Sequence, residues 1–477
     1  MEEDEIKLIA GEIRRPTDAK PKRLRRATRR LAELGLDRQV DRPRIPFEPG
    51  PRVEQSPQTE TGPNDGDQHR IEFTTYTPGT PKFSGPIPPD PSGADGASGV
   101  VLYTGNNYLM ASTDGGLTFK EHDTTAFLPA AVKRPVDMVM IYVPHRRLFA
   151  WMMQHGKAAT TGDGTFRLSV AHVQDLSSNV ETAWTTYDFT SSNLGFPGVA
   201  TDRQDLAFSE SHLYMTTNLV GKGRVVMTLS LDDLDQGKPV HMSHTKPLDG
   251  MYQFSDLSQQ NSINVRSVAI ASNSRLQVMT LDDAAGTYGF HDVTVGQFPK
   301  EVDLISKDPD GVDWLTRGVA NVSASLVQGN NLWVSWDAAA SPAGENPVFP
   351  NAHVRFARID MSNWTTAQEH QVWNPDYAFA YGCLAAGHNG DIAYGVAVGG
   401  SHDYPNTCFG ILGDFVVYFR NTSTATPGAG SEPRFGDYIT VRPSVADARR
   451  YTAFGYYVDK VGTGSAQRPF YLSYGRP

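Results

Sequence analysis

From residue 98 to the C-terminus the chain repeats one local phrase: a short alternating apolar run, a polar turn, then an aromatic-rich run. It appears as AFSESHLYMTT (207–217), AIASNSRLQVMT (269–280), SLVQGNNLWVSW (325–336) and LAAGHNGDIAYGV (384–396). Alternation with period two marks strands half-buried against a neighbouring sheet. No long helical period interrupts this part of the chain.

The strands fall into groups. The first is 99–104, 108–112 and 118–122; the second 138–142, 148–154, 166–172 and 183–189; the third 205–209, 212–218, 224–231 and 240–244. The fourth is 265–271, 275–281 and 289–295; the fifth 322–328, 331–337, 353–359 and 369–373. The sixth is 380–386, 391–398 and 410–419; the seventh 438–441, 451–458 and 469–473. Groups of three or four strands at a near-constant period are the sequence signature of an all-β propeller. Seven blades are expected. Six remains the alternative, because the first and fourth groups are thin.

The N-terminal part differs. Twelve of the 32 prolines lie in 41–99, a stretch too poor in apolar residues to fold alone. One alternating segment stands in it, RIEFTTY at 70–76. The last group is one strand short, so 70–76 is expected to complete that blade, close the ring and remove an open sheet edge. Before the linker (41–69), residues 18–36 read as a short basic helix with Asp18 as cap and Gly35 as stop. Leu24, Ala27, Leu31 and Leu34 share one face, and Arg23, Arg26 and Arg30 stand among the cations around it. Two readings stay open: an arm (1–40) that docks on an acidic partner, or a solvated helix resting on the main domain.

Charge and composition narrow the classes. Residues 1–70 hold 15 Lys/Arg against 14 Asp/Glu, a net of +1, so the remainder carries −11 of a chain whose net charge is −10, which argues against nucleic-acid binding. No run approaches a membrane span. The start, Met1-Glu2-Glu3-Asp4, is the reverse of a secretory leader. Cys383 and Cys408 are the whole cysteine complement. A disulfide between them is one reading, favouring an extracytoplasmic or secreted protein, and two thiols are the other.

Ser112-Thr113-Asp114-Gly115-Gly116-Leu117-Thr118-Phe119 falls between two strands of the first group. Asp114 can bond back to turn amides, the glycines allow positive φ, and Phe119 can plug the blade. The pattern S-x-D-x-G-x-T-F resembles the Asp-box, or BNR repeat, of sialidase-like propellers. Ser306-Lys307-Asp308-Pro309-Asp310-Gly311-Val312-Asp313-Trp314 is a looser echo. The segment Arg434-Phe435-Gly436-Asp437-Tyr438 is similar to an R-[WF]-G-D-Y segment near the last blade of bacterial sialidase-like proteins. The resemblance covers about residues 70–477. It implies that Ser112, Asp114, Gly116, Thr118 and Phe119 are structural, away from the ligand face. It makes Arg434, Asp437 and Tyr438 the candidate ligand contacts.

A catalytic site is not legible. Sialidases are expected to show three converging arginines, a Tyr–Glu pair and an acid/base Asp. Arg44-Ile45-Pro46 matches the family's R-I-P only in part, since Pro43 replaces the aromatic residue. Arg203, Arg266, Arg317, Arg434 and Arg442 are candidates, but spacing shows no convergence. A glycosidase also needs two carboxyls a defined distance apart. No metal or cofactor motif is present. Asp308, Asp310 and Asp313 read as a solvated turn, with Ca²⁺ ligation as the alternative. The sequence favours a non-catalytic module that recognises a glycan or protein, with its arm docked to a partner or assembly. A sialidase-type glycosidase and a structural component of a larger particle are the alternatives.

Overall fold

The computed structural model describes residues 6–7, 9–13, 44–46, 71–76 and 88–476. Within the last span 130–134, 158–160, 249–264, 300–301, 317, 319–320, 342–347, 388–389, 415, 420–421, 427–432 and 463 are excepted. Seven antiparallel sheets stand in a ring. Blade 1 is Ser92–Asp95, Val101–Gly105, Tyr108–Ser112 and Lys120–His122; blade 2 is Val136–Val143, Leu148–Lys157, Gly164–His172 and Thr185–Thr190. Blade 3 is Thr201–Phe208, His212–Leu219, Gly223–Ser230 and Val240–His244; blade 4 is Val265–Ser272, Arg275–Asp282 and Thr287–Thr294. Blade 5 is Val322–Gln328, Asn331–Ala338, His353–Asp360 and Thr365–Val372; blade 6 is Ala378–Ala386, Ile392–Gly400, Asp403–Ile411 and Val416–Phe419. Blade 7 is Thr440–Pro443, Arg450–Val461 and Gly464–Gly475. The chain is therefore an all-β, seven-bladed propeller.

Each blade buries both faces, and the core divides accordingly into seven apolar clusters, one per blade interface. The cluster joining blade 7 to blade 1 is the smallest: Val101, Tyr103, Tyr108, Met110, Phe454 and Tyr471. It compensates with rings and a hydrogen bond. Tyr103 packs edge-on against Phe454 at 5.3 Å, and its hydroxyl donates to the Gly455 carbonyl at 2.7 Å. Such aromatic pairs each add about 0.5–1.5 kcal/mol beyond area burial. The Phe454 ring also occupies the place where a Cβ on Gly93 would lie, 2.5 Å away.

Glu72–Tyr76 pairs with Gly464–Gly475, in register from Tyr76↔Tyr471 to Glu72↔Gly475, and supplies the fourth strand of blade 7 as expected. The rest of the N-terminal part departs from the expectation of an arm and an unstructured linker. Ile6–Lys7 is the fourth strand of blade 4, Ile9–Ile13 a fifth strand on blade 3, and Arg44–Pro46 a fifth strand on blade 6. Four outer edges are thus covered by the first 76 residues. The expected helix at 18–36, with Arg23, Arg26 and Arg30, lies outside the described residues. Among the described residues no helix is long and apolar enough to cross a membrane.

Three sequence expectations are corrected. Ser92–Asp95, expected to belong to the unfolded proline-rich stretch 41–99, is the innermost strand of blade 1, too short and too rich in small residues to show alternation. The expected strand 410–419 is divided between two strands, Asp403–Ile411 and Val416–Phe419. The disulfide is absent: Cys383 and Cys408 are buried thiols. Strand Ile392–Gly400 runs between them, and they face opposite sides of blade 6, Cys383 toward blade 7 and Cys408 toward blade 5. Two strand spacings, about 9–10 Å, exceed what a disulfide spans.

Candidate functional site

The innermost strands line the central channel, and their first residues share one irregularity. In blades 2 to 6 the inner strand holds one residue more than its neighbour opposite, a β-bulge. The register jumps between Val136 and Val139, Asp202 and Asp205, Val265 and Ser267, Val322 and Ala324, and Ala380 and Cys383. Bulges re-aim side chains and gather beside functional sites. Three bulge residues have left-handed backbones: Asp137 (φ 48°), Arg203 (φ 46°) and Tyr381 (φ 59°); Asp90, just before the inner strand of blade 1, has φ 41°. For Arg and Tyr this conformation costs on the order of 1–3 kcal/mol, held by the surrounding fold.

The bulges bring carboxyls within electrostatic reach of one another at the channel mouth, where the inner strands begin. Burial, then the charges of Asp437 and Asp137, pushes Asp90 well above the usual carboxylate range. Burial, then Asp437 and Asp202, raises Asp137 to about 7, with the Arg203 N–H and Arg434 pulling the other way. Asp202 is raised by burial and by Asp437. Asp337, from the second strand of blade 5, is pushed to about 7 by burial, against the pull of the Tyr381 and Gly382 N–H groups and of Arg203. Converging carboxyls cannot all ionise together, so such a mouth keeps protons at neutral pH.

Arg434 and Asp437 meet here. The Arg434 Nη1 donates to Asp437 Oδ1 at 2.5 Å, and the Asp437 N–H donates to Asp90 Oδ1 at 2.7 Å. Tyr438 lines the channel cavity, ≈ 60 Å³, together with Asp437, Tyr381, Gln204, Ser323 and Arg442. The hydroxyl of Tyr456, a fully buried residue, lies near Asp90, Tyr381 and Arg434 and has no hydrogen-bond partner among the described residues.

The segment carrying Asp437 is held from below. Phe435 stacks on Tyr456 at 4.4 Å and meets Trp314 edge-on at 6.1 Å, and the Phe435 N–H donates to the Trp314 carbonyl at 3.0 Å. Trp314 ends the looser Asp-box echo. There Asp308 Oδ1 accepts the Asp310 and Val312 N–H groups at 2.9 and 3.0 Å, and its other oxygen accepts from the Thr426 hydroxyl. Asp313 accepts from Ser306 and Leu315, and Asp310 from the Tyr404 hydroxyl. Of the three carboxyls considered for Ca²⁺, Asp308 and Asp313 thus accept N–H groups of the turn itself, and Asp310 ties it to Tyr404. Among the described residues no group of three or more His, Cys, Asp or Glu is placed to hold a metal.

The Asp114 turn lies elsewhere. It follows the third strand of blade 1, at the end of the channel away from the mouth. Asp114 accepts the Thr118 N–H at 2.9 Å and the Thr118 hydroxyl at 2.5 Å, Ser112 donates to it at 2.7 Å, and the Gly116 N–H donates to Ser112 at 2.9 Å. Phe119 packs edge-on against Tyr471 at 6.0 Å.

Of the candidate arginines, Arg203 and Arg434 reach the mouth cluster and Arg442 lines the cavity. The side chains of Arg266 and Arg317 lie outside the described residues. Arg44 sits on the outer edge of blade 6, away from the channel. Asp90, Asp137, Asp202, Asp337 and Tyr381 were not singled out in the sequence. The available signal was a polar residue near the start of an apolar inner strand, as in Val136-Asp137-Met138 and Ala380-Tyr381-Gly382.

Fold and site together define a seven-bladed propeller with a carboxyl-rich channel mouth. No family model matches the chain, and no curated protein matches it. Among solved structures it is similar to the α-L-arabinofuranosidase Arb93A of Fusarium graminearum, at 9% identity over 85% of this chain and 98% of that one, with a TM-score of 0.37. It is similar to a protein of unknown function from Dyadobacter fermentans, at 8% identity over 85% and 99%, TM-score 0.41. It is also similar to the NanB sialidase of Streptococcus pneumoniae, at 12% identity over 68% and 66%, TM-score 0.39.

Proposed function

We propose that the channel mouth is an acid/base site that cleaves a glycosidic bond. One observation carries this reading: Asp137 is raised to about 7 by burial and by neighbouring carboxyls, while Asp437 is ion-paired with Arg434. Two carboxyls in environments that differ in this way supply an acid and a base. Asp137 donates its proton to the leaving oxygen. Asp437 stabilises positive charge at the anomeric carbon or activates water, and Arg434 holds it in place. The buried Tyr456 hydroxyl offers a partner to a sugar hydroxyl or a water.

The test is a panel of fluorogenic glycosides with the full chain. Turnover is expected to fall above about pH 7, as Asp137 loses its proton. Asp137→Asn is expected to lose about 10²–10⁴-fold on poor leaving groups and far less on activated ones, which need no proton. Asp437→Asn is expected to be inactive on both. Absence of turnover across the panel overturns the proposal. Recognition without cleavage is the second reading, favoured by the mutual Arg434–Asp437 contact; saturable glycan or protein binding with no turnover selects it.

A further inference from the structure

Asn106 lies buried in the turn between the second and third strands of blade 1, and its side chain bonds to groups outside that turn. Its Nδ2 donates to Asp90 Oδ2 at 2.8 Å and to the Pro88 carbonyl at 2.7 Å. Its Oδ1 accepts the Asp137 N–H at 2.8 Å. The other oxygen of Asp90 accepts the Asp437 N–H at 2.7 Å. A continuous line therefore runs from Asp437 in blade 7, through Asp90 and Asn106 in blade 1, to Asp137 in blade 2.

The chemistry of this line admits few residues. A backbone N–H on one side demands an acceptor, and a carboxyl with a carbonyl on the other demands donors. A side-chain amide offers both at once, and the Asp137 N–H fixes which end is which. The fit is also tight: a Cβ on Gly436 would come within 2.8 Å of Asp90 Oδ1, so the chain before Asp437 rests on that carboxyl.

We infer that Asn106 is a positioning residue which, through Asp90, sets the separation across the ring closure between the backbones bearing Asp137 and Asp437. Its consequence for rate rests on the acid/base reading of the mouth. The hydrogen-bond line stands without it.

Asn106→Asp in the full chain tests this, because it preserves volume and the acceptor for Asp137 while removing the donor for Asp90. Relative to the wild type, turnover is expected to fall roughly 10²-fold at the alkaline end of the active range, where the new carboxyl is ionised, the cost of a small misplacement of reacting groups. The gap is expected to close as the pH falls, because the carboxyl donates to Asp90 once protonated. The backbone amide resonance of Asp437, which residue 106 does not touch, is expected to move on the alkaline side and return with acid. The reciprocal Asp90→Asn sets two amide groups against each other and is expected to move the Asp137 amide, which residue 90 does not touch. If both remote amides keep their wild-type resonances, or if Asn106→Asp keeps the wild-type pH profile, the inference is overturned. If the wild type cleaves no glycoside, the acid/base reading falls and the two resonances still decide the role of Asn106.

Discussion

Two turns in this molecule are written in nearly the same letters. Ser112–Phe119 and Ser306–Trp314 each place an aspartate ahead of a glycine and end on an aromatic ring. In both, the aspartate gathers backbone N–H groups of the turn or a downstream threonine. They differ in place. The Asp114 turn closes an outer hairpin at the far end of the channel, with its carboxyl partly exposed. The Asp308 turn reaches the mouth with its carboxyl buried, and its Trp314 supports the segment that carries Arg434 and Asp437. A motif of this kind reports how the chain bends. Its use is set by which strand it follows and what stands behind its ring.

The anchors should separate the two turns most. Trp314 is fully buried, against Phe435 and flat on Gly399, where a Cβ would come within 3.0 Å of the indole. Trp314→Ala is expected to cost about 3–5 kcal/mol in denaturant unfolding and to abolish ligand binding at the mouth. Phe119→Ala, from a half-buried site, should cost clearly less and leave the mouth intact. Equal losses, or a mouth that still binds without Trp314, would break the distinction.

The aspartates should come next. Asp308→Ala strands two N–H groups and the Thr426 hydroxyl beneath the mouth, at an expected cost of about 1–3 kcal/mol, with weakened binding. At Asp114 hydrogen bonds from Thr118 and Ser112 outweigh a burial that pushes the pKa up, and hold the carboxyl below its ordinary range. Asp114→Ala is expected to cost about 1 kcal/mol and to leave binding unchanged. A binding defect in Asp114→Ala would sink the assignment of that turn to the far end.

The glycines should not differ. Gly115 (φ 78°) and Gly311 (φ 76°) have the same left-handed backbone and open space where a Cβ would stand. Alanine at either is expected to cost about 1–2 kcal/mol. A larger loss at Gly311 would mean that the mouth constrains the turn backbone as well as its aspartate and ring.

The blades were legible because alternation is a property of each strand by itself, and 70–76 carried that alternation in an otherwise unpatterned stretch. Arg434 and Asp437 were legible through one contiguous segment. The rest of the mouth was not, because Asp90, Asp137, Asp202 and Tyr381 come from four blades and converge only where the inner strands begin, the last three at bulges. A bulge is one extra residue in one strand of a pair, and its place depends on the partner's register. Arg44–Pro46 and Ile9–Ile13 do not read as strands in the sequence for a related reason: a short edge strand draws its order from the sheet it joins.

The closing contact has a consequence for how the molecule comes into being. Asp437 meets Asp90 across 347 positions of chain, and Glu72–Tyr76 meets Gly464–Gly475 across still more. At a synthesis rate of about 5–20 residues per second, Glu72–Tyr76 waits roughly 20–80 s for its partner. Throughout that interval the inner blades can stack on one another as they leave the ribosome, while Glu72–Tyr76 still lacks the hairpin of the seventh blade. The blades are thus born in sequence, and the mouth is born last, all at once, when the C-terminal hairpin arrives.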